Sequence, residues 1–298
     1  MPGKEVGVLM KNKNRKYWVS AGSLTDHLLL ALMVVCLAGT WAMTATAQSN
    51  APTVLITGSS KGHGLNFVND YAERGWTVIA TCRTPSAADE LQALADLYPN
   101  VTVEELDVTD FAGVDALAAK YRGTPIDVLN LNGAINTWSF GPQKFGEMDY
   151  EWFEEILKVN IIGQLYVAEA FLEHVASSKQ KTIVAMSSQG SSITNANSAR
   201  APSYRSSKAG MNMIMRAYGE AVKRRGVIVA VIAPGTVDTE DYMNAADPAT
   251  VPENRQRMIK MGLLAPRSAI GSMIDLIDGL TIDDISVLHQ WDGEVLPW

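Results

Sequence analysis

The sequence predicts an α/β chain with a single doubly wound parallel sheet flanked by helices. Three observations carry that prediction. Six short runs rich in apolar and β-branched residues recur between positions 53 and 233. The intervals between them show helical periodicity, and a glycine-rich turn joins the first run to the first helical interval. Strands alternating with helices at this spacing build parallel sheets covered on both faces.

The first 47 residues stand apart from that pattern. They carry five basic side chains (Lys4, Lys11, Lys13, Arg15, Lys16) and two acidic ones, then an apolar run over 28–39, then Ala45-Thr46-Ala47 before Gln48. A positive start, a short apolar centre and a small-residue end read as a secretory signal peptide over 1–47, which makes the chain exported, periplasmic or secreted. The apolar run stretched to Met43 falls short of the roughly 20 residues a spanning helix needs, so no stable membrane insertion of the mature domain is expected. An uncleaved membrane anchor and a cytoplasmic product starting at Met43 are the alternatives. Residues 48–298 contain no linker, repeat or low-complexity tract and read as one domain.

The whole chain has a net charge of −7, but the segment after residue 47 holds 20 basic and 30 acidic groups, a net of −10. So acidic a body lacks the basic face that nucleic acid requires. Only Cys82 remains outside the leader, so no internal disulfide staples the fold. The four histidines (His27, His63, His174, His289) show no metal-ligand spacing, and no metal is expected.

The strands are expected at 53–57 (TVLIT), 76–81 (WTVIAT), 101–106 (VTVEEL), 126–131 (IDVLNL), 181–186 (KTIVAM) and 227–233 (VIVAVIA). Apolar residues spaced three and four apart (Leu65, Val68, Ala72; Leu91, Leu94; Val114, Leu117, Ala118) place helices between them. An apolar helix is expected over 153–171.

The first turn reads Thr57-Gly58-Ser59-Ser60-Lys61-Gly62-His63-Gly64. Glycines after a strand let the backbone turn sharply and approach a pyrophosphate, which then sits on the helix N-terminus. The second strand ends Thr81-Cys82-Arg83-Thr84, with no acid to bond a ribose hydroxyl. Arg83, with Lys61 in the glycine turn, suits a 2′-phosphate and favours NADP(H) over NAD(H).

Tyr204 and Lys208 are four residues apart at the start of an expected helix and so share a face. A phenol is a poor acid at neutral pH, and a nearby ammonium is expected to lower its pKa into a useful range. Ser188 follows the fifth strand at the carboxyl edge, where a hydroxyl can polarise a substrate carbonyl. Asn160, among apolar neighbours, is either a structural hydrogen-bonding group or part of a proton relay. The loop 234–239 (PGTVDT) ends the sixth strand at the same edge.

This set resembles the short-chain dehydrogenase/reductase family, over nearly all of 53–298. The carriers are Thr57–Gly64, Asp107-Val108, Asn160, Ser188, Tyr204 with Lys208, and Pro234-Gly235…Thr239. The segments 80–83, 204–212 (YRSSKAGMN) and 291–298 are similar to C-factor and sniffer-type carbonyl reductases. The resemblance implies a Rossmann-type fold and reduction of a carbonyl to an alcohol by hydride from NADPH. Tyr204 would give the proton, Lys208 tune the phenol and hold the nicotinamide ribose, Ser188 bind the carbonyl oxygen and Asn160 support a water relay. In many members the serine lies nearer the tyrosine, which makes Ser191 the second choice.

The resemblance further implies cofactor contacts from Gly58, Ser60, Lys61, Gly62, His63 and Gly64, from Arg83, and from Asp107 and Val108 at the adenine. Asn132 would pack on the cofactor, and Val237 and Thr239 would meet the carboxamide. Two departures stand out: Leu131-Asn132-Gly133-Ala134 replaces the family's usual Asn-Asn-Ala-Gly, and His63 sits where an aliphatic residue is usual. Residues 135–145 and a Met-bearing segment over 240–266 (Met243, Met258, Met261) would shape a pocket and a lid for a small carbonyl or alcohol substrate. A homodimer or homotetramer is likewise implied. The alternative reading is a cofactor-binding sensor that keeps the fold and acts through a partner.

Overall fold

The computed structural model describes residues 11–12, 15–16, 51–135, 143–240 and 242–298. It divides into two units, 1–50 and 51–298. In the first, Lys11–Asn12 pairs antiparallel with Arg15–Lys16. The remainder of the expected leader, with its apolar run and cleavage site, lies outside the described residues, as do positions 136–142 of the expected pocket loop. Among the described residues no helix is long and apolar enough to cross a membrane.

The second unit is built on the six expected strands: β1 (Thr53–Ile56), β2 (Thr77–Cys82), β3 (Val101–Glu105), β4 (Val128–Leu131), β5 (Thr182–Met186) and β6 (Ile228–Ala233). Two short strands escape the sequence pattern, β7 (Leu288–Gln290) and β8 (Val295–Leu296). The spatial order is β8-β7-β6-β5-β4-β1-β2-β3. Neighbours from β3 to β7 are parallel, and β8 closes the edge antiparallel to β7.

Successive side chains of a strand face opposite ways, so each strand feeds two cores. On one face Leu55, Ile79, Leu129, Ile183 and Val229 pack against α3 (Phe111–Lys120), α5 (Gln164–Ala170), α6 (Leu172–Ala176) and α7 (Pro202–Val222). On the other, Val54, Ile56, Val78, Val128 and Val184 pack against α1 (Gly62–Glu73), α2 (Asp89–Leu97) and α9 (Pro266–Gly279). Burial on both faces is why these strands read as continuous apolar runs.

The helix expected over 153–171 is not continuous. α4 (Tyr150–Leu157) passes into a wider π turn, Lys158–Gly163, before α5 begins. A Cβ on Gly163 would stand 2.8 Å from the Val108 carbonyl oxygen, so only glycine admits the loop after β3 this closely. Such wide turns in helices occur often at functional sites. Strand order reverses at β1 and β4, and ligands of open α/β sheets bind at the carboxyl ends beside such a reversal.

Candidate active site

The carboxyl ends of β1, β4, β5 and β6 collect nearly every residue singled out in the sequence. α7 supplies the central pair. Ala201 enters it with φ 48° and ψ 52°, left-handed for a non-glycine residue, and Pro202 takes the first helical position. Lys208 is 2% exposed; its Nζ donates to the Met186 carbonyl at the end of β5 (2.7 Å) and lies 5.9 Å from the Tyr204 ring centroid. Burial pushes the Lys208 ammonium down to about 7.

Tyr204 departs from expectation. Burial raises its phenol above the ordinary value, and the hydrogen bond with Ser188 offsets this only in part. The phenol's own desolvation outweighs that bond, so the direction is up and not down. The phenol is therefore held protonated at neutral pH, the form a proton donor needs.

The two candidate serines have different surroundings. Ser188 bonds Tyr204, and its Oγ accepts from the Gly190 N–H (3.1 Å). Ser191 is locked away: Asn212 Nδ2 donates to its Oγ (2.8 Å), and that hydroxyl donates to the Ser188 carbonyl (2.6 Å). Ser187 completes this buried knot by donating to Asn212 Oδ1 (2.5 Å). Ser191 thus braces the turn that presents Ser188.

Asn160 sits in the π turn with no exposed surface. Its Oδ1 accepts from the Ile135 N–H (2.8 Å), and its Nδ2 donates to the Ile135 carbonyl (2.9 Å) and Ser207 Oγ (3.0 Å). The Asn160 side chain thereby pins the chain after β4 to α7.

The glycine turn is held from below. Asn132 Nδ2 donates to the carbonyls of Thr57 (2.9 Å) and Gly58 (3.1 Å). Thr57 Oγ1 accepts from the Gly133 N–H (2.8 Å), and Gln164 Nε2 donates to the Gly133 carbonyl (2.5 Å). Asn132, expected against the cofactor, thus also ties down the turn that would hold it. The 131–134 stretch fixes glycine at position 58, since a Cβ on Gly58 would lie 2.6 Å from the Gly133 Cα. Thr57 and Gln164 carried no sequence signal for this latch.

The upper side of the turn fits a dinucleotide. Gly58 and Gly62 take φ of 68° and 62°, open to glycine at little cost. Lys61 caps α1 without a side-chain bond, and the first turn carries no acidic residue. The first N–H groups of α1 are thus left for an anion. Ser60 is partly exposed, Lys61 exposed, and His63 and Gly64 follow in the first turn of α1. Thr239 Cγ2 would lie 3.8 Å from a Cβ on Gly62, which puts the 234–239 loop across from the turn.

Arg83 is exposed beyond β2. Burial would raise the Asp107 carboxyl, but bonds from the Thr109 N–H (2.8 Å) and hydroxyl (2.7 Å), with the fields of Arg83 and Lys158, hold it below its usual value. Val108 lies beside Gly163. Val237 is buried and bridges Leu264, and the Asp238 N–H donates to the Leu264 carbonyl (2.9 Å).

The expected lid is partly built of regular structure, with α8 (Glu253–Lys260) at its centre. Met243 and Met261 are 44% and 85% exposed, so they belong neither to the core nor to a closed pocket wall.

Comparison with known proteins agrees with this geometry. The family model described as short chain dehydrogenase matches residues 52–249. An uncharacterized oxidoreductase of Schizosaccharomyces pombe is 29% identical over 248 residues, 82% of this chain and 96% of the relative. The crystal structure of NADPH-bound carbonyl reductase from chicken fatty liver is 28% identical, with a TM-score of 0.70 over 83% of this chain and 99% of the other. The carbonyl reductase Sniffer of D. melanogaster, at 22% identity and a TM-score of 0.67 over 83% of this chain and 100% of its own, shares the fold.

Proposed function

Because the chain belongs to the short-chain dehydrogenase family, and is thereby an oxidoreductase, we propose that it reduces a small aldehyde or ketone to an alcohol with NADPH. One observation carries this reading: Ser188, a protonated Tyr204 and Lys208 converge at the end of β5, across from an uncapped glycine turn. Bound NADPH supplies the hydride for the carbonyl carbon. Ser188 hydrogen-bonds the carbonyl oxygen, and Tyr204 gives that oxygen its proton. Lys208, as ammonium, stabilises the phenolate left behind. The neighbour from chicken liver, solved with NADPH bound, supports the cofactor choice.

The experiment is oxidation of NADPH and NADH against a panel of aldehydes, ketones and quinones. Turnover with NADPH is expected; its absence across the panel with tight NADPH binding would favour a sensor. Arg83 at the end of β2 suits the 2′-phosphate. Arg83→Ala should raise the NADPH Kd about tenfold, an exposed charge-assisted bond's worth, and leave NADH binding unchanged. An equal loss for both cofactors would remove Arg83 from phosphate recognition.

Lys208 also sets a pH dependence. Its ammonium persists below about 7 and is lost above it, whereas the raised phenol of Tyr204 stays protonated throughout. For reduction, kcat/KM should therefore be level below about 7 and fall as pH rises past it. A profile that stays level to pH of about 9 would show that the ammonium is not needed.

A further inference from the structure

We propose that the His63 side chain is a cofactor-positioning donor, its Nδ1–H bonding an oxygen of the diphosphate of NADPH. The inference rests on the NADP reading above and adds a side-chain contact to a position where the family's aliphatic residue offers none. His63 is the second residue of α1, between Gly62 and Gly64, on the turn whose N-terminal N–H groups carry no cap. Its Nε2 is shut off from solvent and has no hydrogen-bond partner among the described residues, while the residue as a whole keeps partial exposure. The open edge of the ring is therefore the Nδ1 edge.

The tautomer follows from the same fact. A buried N–H without an acceptor is rarer, and costs more, than an acceptor without a donor. The proton belongs on Nδ1, and Nε2 keeps its lone pair. Burial, and then the field of Lys208, holds the imidazole down to about 4, so it is neutral near pH 7. A neutral donor at this position adds direction to the oxygens of the bound dinucleotide without placing a second cation beside Lys208.

The test is NADPH binding by fluorescence titration, with no substrate, in wild type and in His63→Ile, His63→Asn and His63→Gln. Asn places its amide where Nδ1 lies, and Gln where Nε2 lies. His63→Ile should weaken NADPH about tenfold, the loss of one hydrogen bond to a charged oxygen, and His63→Asn should restore most of it. His63→Ile should also melt higher than wild type, because it removes an unpaired buried nitrogen. Unchanged or tighter NADPH binding by His63→Ile, with wild-type binding intact, overturns the inference and leaves the reductase reading standing. Wild type that fails to bind NADPH overturns both. If His63→Ile does not fold, Asn binding more tightly than Gln supports the assignment, and equal binding refutes it.

Discussion

Replacing Tyr204 by Phe should abolish carbonyl reduction while leaving NADPH binding close to wild type. The substitution removes one oxygen and keeps the ring that lies against Lys208. That oxygen bonds Ser188, and the protein around it raises its pKa, so the hydroxyl is a protonated donor at working pH. The developing alkoxide then has no acid within reach. Loss of a positioned general acid costs about 10²- to 10⁴-fold in rate, and the lost Ser188 bond costs only about 1 kcal/mol in stability. Single-turnover assays beside NADPH titration separate the two effects. Turnover within a few-fold of wild type would mean that another group protonates the product. Ser188→Ala should be milder, because the Tyr204 donor remains and only one bond to the carbonyl oxygen is lost.

The frame of this site was legible before any coordinates. The six long strands are buried on both faces, and that physical state writes itself as unbroken apolar runs. The Tyr204–Lys208 spacing placed both groups on one helix face. Spacing says nothing about depth, however, and it was the burial of Tyr204 itself that reversed the expected direction for its phenol. The choice between Ser188 and Ser191 lay equally beyond the sequence, because it depends on Asn212, a full turn past Lys208, capturing one hydroxyl and not the other. β7 and β8 have too few residues to show a period. The π turn has no composition of its own; it follows from Val108 pressing on Gly163 and from Asn160 reaching Ile135. Gln164 looks in sequence like any polar helix residue, and only the fold reveals that it closes the latch beneath the glycine turn.

That latch makes Gly64 the position with the largest expected effect on cofactor binding. In an ordinary helix, Gly→Ala stabilises by about 0.5–1 kcal/mol through backbone entropy. Here a Cβ would drive into the Gly58 carbonyl oxygen, with the Gly58 carbonyl carbon at 2.9 Å and Asn132 Nδ2 at 2.7 Å. Two of these three are backbone atoms of the turn itself, and the third is the amide that holds it. None can swing aside as a flexible side chain would, so α1 and the turn must separate. Overpacking of this kind costs about 1–3 kcal/mol or more, which outweighs the helix-propensity gain. Gly64→Ala should therefore lower Tm by roughly 4–8 °C for a net loss near 2 kcal/mol, and raise the NADPH Kd at least about tenfold as the N–H groups of α1 leave their line. Gly271→Ala in α9 is the matched control: its Cβ would meet only Arg74 Nη2, at 3.8 Å. There the propensity gain stands unopposed, so Tm should hold or rise and NADPH binding should not change. If both variants behaved alike in melting and titration, the contact between α1 and the glycine turn would not be what aligns the site.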